Sequence, residues 1–181
     1  MDTDHSATAM QQPPAGSRWL VTITQLPTED PAGRMRMLRT LESLGAAVMR
    51  EGVYLLPDTQ DNRRALERPA QYVPQNAGIA SVLRVDAADE AQQAQFKRCF
   101  DRSARYDELT KNIHSLRIGF GVSDPAAIAR VLHKQRRDFE AVAALDFFPN
   151  EARARTEHAL VQAEAEVRAL LSPAQAGAAA H

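Results

Sequence analysis

The chain has 181 residues, 22 Lys and Arg against 23 Asp and Glu, and a formal net charge of −1. That length fits one compact domain with an appendage, and the absence of a global positive field removes the simplest argument for nucleic-acid binding. One cysteine excludes an internal disulfide and any multi-cysteine metal site, and no apolar run reaches the roughly 20 residues that span a bilayer.

Residues 1–17 are polar, contain Pro13-Pro14 and lack a basic start with an apolar run, so they read as a disordered tail and not as a secretory signal. Arg18 to Leu26 alternates as a strand, and Pro27 closes it. Asp30-Pro31 is an N-cap followed by proline at the first helical position. The helix then runs to Leu44, burying Met37, Leu38, Leu41 and Leu44, and Gly45 stands where a left-handed C-cap ends it. Ala46–Arg50 and Val53–Leu56 form a hairpin reversing at Glu51-Gly52. Asp58 or Thr59 caps a second helix to about Leu66, with Pro69 and Pro74 making its end irregular, and IASVLRV after Gly78 is the last strand. The order is βαββαβ, so an α+β class with a ferredoxin-like domain over residues 18–86 is expected.

From Ala88 the pattern turns helical. Phe96, Cys99/Phe100, Tyr106, Leu109, Ile113 and Leu116 follow one stripe of a long third helix, which places Cys99 in apolar packing. After a break at Gly119–Gly121, Asp124-Pro125 opens a helix that turns Ile128, Val131, Leu132, Gln135, Phe139, Val142 and Leu145 inward. Phe147-Phe148-Pro149 makes an aromatic corner, and Asn150 caps a final helix carrying Leu160, Ala163, Val167 and Leu170. A helical part of about three helices is therefore expected over 88–172, packed on the first domain, with a disordered tail over 173–181.

The spelling of three segments resembles the N-terminal domain of the chromate-resistance regulator family (ChrB): WLVTITQLP at 19–27, LRTLESLGAAVMREGVYLLPDT at 38–59, and FEAVAALDFFP at 139–149. YDEL at 106–109 and Arg136-Arg137 are similar too. The resemblance implies a regulator of chromate-efflux operons. Members are about twice this long and carry a second domain, so a stand-alone short form is expected. The first half is more distantly similar to the central domain of phenylacetate-operon repressors (PaaX type). The fold also resembles small CRISPR-adaptation nuclease subunits, but those place an acidic residue after the first strand where Gln25-Leu26-Pro27 stands here, which argues against a metal-dependent nuclease.

Chromate is a tetrahedral dianion, and holding it takes several cationic or hydroxyl donors or a helix N-terminus. Arg34, Arg36 and Arg39 cluster on the first helix and are the candidate oxyanion site, with Arg34 the one expected to face a cleft. The alternative is a solvated helix face with pairs such as Arg39–Glu42. Arg130, Lys134, Arg136 and Arg137 are the candidate contacts to operator DNA, since a basic helix stripe can hold phosphates without reading sequence; a solvated face is again the alternative. Lys97, Arg98, Arg102 and Arg105 make another basic stripe. His114, His133 and His158 share no metal-binding spacing, and Asp107-Glu108 diverge on a helix, so no metal site, cofactor or catalytic residue is assigned. The sequence reading is a non-enzymatic, cytoplasmic homodimer acting on operator DNA in response to chromate or a related oxyanion, with no membrane partner. Its alternatives are an interaction module pairing with a full-length regulator and, with least support, a chromate reductase.

Overall fold

A computed structural model describes residues 18–121 and 124–171; both expected tails lie outside the described residues. Ten elements follow one another: β1 (Trp19–Gln25), α1 (Pro31–Ser43), β2 (Ala47–Arg50), β3 (Val53–Pro57), α2 (Gln60–Gln75), β4 (Ile79–Val85), α3 (Glu90–Arg98), α4 (Ser103–Ile118), α5 (Pro125–Ala143) and α6 (Glu151–Leu171). The class is α+β, with one four-stranded antiparallel sheet in the order β2-β3-β1-β4. Among the described residues, no helix is long and apolar enough to cross a membrane.

The chain divides into two compact units. The first holds the sheet, α1, α2, α3 and the short segment Leu145–Phe148; the second holds α4, α5 and α6. In the first unit, local chemistry sets the elements. Asp30 accepts a hydrogen bond from Gly33 N at 2.8 Å, and Pro31 begins α1. Gly45, at φ +79°, ends it: its N–H donates to Glu42 O and that of Ala46 to Leu41 O, the paired bonds of a Schellman turn. The β2–β3 hairpin carries a bulge, since Val48 pairs with Tyr54 but Arg50 with Val53. Gly52 closes the turn at φ +76°, and its carbonyl accepts from Thr24 N at 2.7 Å; a side chain there would meet Thr24 O.

Helix α2 corrects the expectation that it ends near Leu66. It continues to Gln75 with Pro69 and Pro74 inside it. A proline has helical φ and costs one backbone bond, and here Leu66, Pro69 and Val73 stay buried at helical spacing, so packing outweighs the loss. At the base of α2, the Asp58 carboxylate, 1% exposed, accepts from Arg63 on α2 and from Arg84 on β4 at 2.8 Å. Asn62 Nδ2 donates to Pro57 O at 2.8 Å. These bonds tie β3, α2 and β4 together.

Around Trp19, at one end of its strand, the sheet is covered by aromatic rings. Phe100 stacks on the indole at 5.7 Å, Phe96 meets it edge-on at 5.4 Å, and Phe148 lies at 6.0 Å. Phe147 meets Phe100 edge-on, and Trp19 Nε1 donates to Gln93 Oε1 at 2.7 Å. The expected single long third helix is therefore two helices. The chain leaves α3 after Arg98 to turn Phe100 inward, and this puts Cys99 at the exposed C-cap instead of in apolar packing. The aromatic corner has its explanation here as well, since Phe147 and Phe148 complete the cover over Trp19.

In the second unit, α4, α5 and α6 share a core of Tyr106, Leu109, Ile113, Ile128, Leu132, Phe139, Leu160 and Val167. Ala152, Ala159 and Ala163 keep the inner face of α6 thin. Thr156, fully buried, sits between Tyr106 O and Ala152 O at 3.0 and 2.9 Å. Val131 and Leu170, expected inward, are exposed, and Leu145 lies beyond the end of α5.

Candidate functional site

One end of the sheet opens into a cleft of about 990 Å³ between the last residues of β1, the start of α1 and the β2–β3 hairpin. Ile23, Met35, Leu38, Val48 and Val53 give its walls their apolar part. Thr24, Gln25, Arg34, Arg50, Glu51 and Tyr54 supply polar groups. Arg34 projects here because it follows the capped first turn of α1: its Nη1 donates to Pro27 O at 2.9 Å and Thr28 O at 2.8 Å, with Glu51 at 3.9 Å. Those carbonyl bonds hold the guanidinium at the rim. Burial pushes the Tyr54 phenol up and Glu42 and Glu51 add to the rise, against the lowering effect of its hydrogen bond with Thr24. The phenol is thus protonated and available as a hydrogen-bond donor or acceptor near neutral pH.

The three arginines named for an oxyanion do not converge. Arg34 lines the cleft, whereas Arg36 lies over the Tyr72 ring at 5.8 Å, and Arg39 is an exposed residue on the solvent side of α1. The helix N-terminus gives no anion site either, because Asp30 already occupies it with a carboxylate. Asp89 and Asp124 cap α3 and α5 in the same way. The sequence reading missed Arg50, the second cationic group at the cleft. Alternation groups it with Val48, which lines the cleft too, and the bulge at Met49 sets it opposite Val53.

On α5, Arg130, Lys134 and Arg137 share an exposed face, and Lys134 Nζ lies 2.7 Å from Asp138. Arg136 faces elsewhere. Its guanidinium donates twice to the Glu164 carboxylate on α6, at 2.8 and 2.7 Å, and lies over the Phe139 ring. The Glu164 hydrogen bonds raise its pKa against the cost of burial, with smaller contributions from Glu140 and Glu157. The Lys97–Arg105 stripe is dispersed: Lys97 sits over Phe148, Arg105 pairs with Glu108, and Arg102 precedes α4. Among the described residues, no group of three or more His, Cys, Asp or Glu is placed to hold a metal ion.

Residues 34–118 match the family described as Protein ChrB, N-terminal. Protein ChrB of Cupriavidus metallidurans is 38% identical to this chain over 157 residues, which cover 87% of the chain and 48% of that protein. The chain is thus similar to the ChrB family in the part described as N-terminal, and spans about half the length of the curated relative it matches. No solved structure matches it.

Proposed function

We propose that this protein is a chromate-resistance regulatory protein, acting as a chromate-responsive regulator or accessory of a chromate-efflux operon. The observation that carries the reading is the relationship to Protein ChrB along 87% of the chain. Within it, the first unit is a ferredoxin-like domain, a reading supported by its element order and its antiparallel sheet. The protein works in the cytoplasm, as a dimer, without catalysis.

Oxyanion binding is proposed at Arg34 and, with it, Arg50, because the cleft brings these two together and leaves Arg36 and Arg39 outside. A dianion entering there exchanges the distant Glu51 carboxylate for a full charge-assisted hydrogen bond to Arg34. DNA contact is proposed on the face of Arg130, Lys134 and Arg137, while Arg136 holds α5 to α6 through Glu164. Chromate then acts by binding one of two states of the dimer more tightly than the other.

The test is equilibrium binding to the DNA upstream of the gene. Arg130→Glu and Arg137→Glu reduce affinity and flatten its salt dependence, whereas unchanged affinity in both variants removes this face from the account. The second reading, an interaction module that pairs with a full-length regulator, is favoured by the net charge of −1 and by the Lys134–Asp138 pair on that same face. Co-purification with such a regulator, together with no DNA binding at low salt, would establish it instead.

A further inference from the structure

The two edges of the sheet are built differently. The β2 edge is four residues long, carries the bulge at Met49 and ends in Arg50, which are the usual protections of an edge strand. The β4 edge lacks the shortness and the bulge. It runs seven residues, Ile79–Val85, pairs with β1 in an unbroken register along that whole length, and contains neither proline nor lysine. Its one charged residue, Arg84, is neutralised by Asp58. Ile79 and Leu83 are 67% and 46% exposed on this strand, and on the same face of the sheet the neighbouring Ile23 is 41% exposed.

We propose that the β4 edge is the site at which a second copy of this chain pairs, antiparallel and centred on Val82, to join two sheets into one. The strand is complementary to itself in that register. Ile79 falls opposite Val85 of the second copy, Ser81 opposite Leu83, and Arg84 opposite Ala80, so no like charges oppose one another. Centring on Arg84 would instead set two arginines face to face. Opposed residues in the Val82 register share parity, so the exposed apolar face continues across the junction and backbone groups meet whichever parity points outward. The inference concerns self-association alone and does not depend on chromate or DNA.

Sedimentation equilibrium of the full chain tests it, with Val82→Lys as the disrupting variant and Val48→Lys on the other edge as the control. The expected result is a dimer mass for the wild type and for Val48→Lys, with association weakened several-fold in Val82→Lys. Buried-tryptophan emission verifies that the variant is folded. Because Val82→Lys can still disturb β4, a second measurement uses Cys99→Ser chains bearing Val82→Cys or Val48→Cys and a short bis-maleimide. Val82→Cys yields covalent dimer and Val48→Cys does not. A monomer mass for the wild type, a dimer unaffected by Val82→Lys, or equal cross-linking at both positions overturns the proposal.

Discussion

Replacing Asp58 with Asn removes one negative charge from a site that joins three elements of the first unit. The carboxylate is inaccessible and accepts hydrogen bonds from Arg63 and Arg84, both about half exposed. Burial raises its pKa, but the two arginine hydrogen bonds outweigh burial and hold it below the ordinary carboxylate value. Each charge-assisted bond is worth roughly 1.5–3 kcal/mol when buried; solvent reaching the arginines discounts this, leaving about 2 kcal/mol for the carboxylate as a whole. With a urea dependence of about 2 kcal/mol per molar, the unfolding midpoint moves down by about 1 M. Trp19 is the single tryptophan and is fully buried in this unit, so its emission reports the unit concerned. The pH dependence gives the sign. A depressed folded pKa stabilises fully above the unfolded value of about 3.9, and that stabilisation is lost as pH falls through it and on through the folded value. The gap between wild type and Asp58→Asn is therefore largest near neutral pH and closes in acid. A gap that is absent at pH 7, or constant with pH, refutes the reasoning.

Arg136→Ala destabilises the helical unit by about 1–2 kcal/mol, through loss of the paired bonds to Glu164, whereas Arg137→Ala leaves thermal unfolding followed by circular dichroism unchanged. Ala77 sits at φ 58°, just beyond α2, where Gly78 N donates to Val73 O and Ala77 N to Pro74 O. Ala77→Gly stabilises the first unit by about 0.5–1 kcal/mol, read from the same tryptophan midpoint, since glycine relieves a left-handed backbone that alanine resists. Cys99 is exposed at the end of α3, so Ellman's reagent titrates one thiol in the native protein without denaturant; a thiol that reacts only after unfolding contradicts its placement.

The elements of the first unit were legible because each boundary has a local cause. Asp30-Pro31 starts a helix, Gly45 ends one, and Gly52 turns a hairpin, and these signals act over four residues or fewer. What escaped was set at longer range. Pro69 and Pro74 read as breakers, yet burial of α2 against the sheet carries the helix through both. Helical spacing groups Cys99 with Phe100, but Phe100 turns inward to meet Trp19, and no pattern on one helix announces a partner on a distant strand. At the site, Arg34 was readable as a cleft residue from its position one turn before Leu38. The separation of Arg36 from it depends on Tyr72, and Arg50 comes from the hairpin, an element that only the tertiary fold brings to the same cleft. Likewise Arg136 and Arg137 are neighbours in sequence that the helix divides between a buried pair and an exposed face.

The most direct test of the regulator reading is fluorescence anisotropy of labelled upstream DNA titrated with the purified protein, with chromate and sulfate as additives. The account predicts salt-dependent binding that chromate releases and sulfate does not, with the chromate effect reduced in Arg34→Ala. DNA binding indifferent to chromate, or released equally by sulfate, would contradict it.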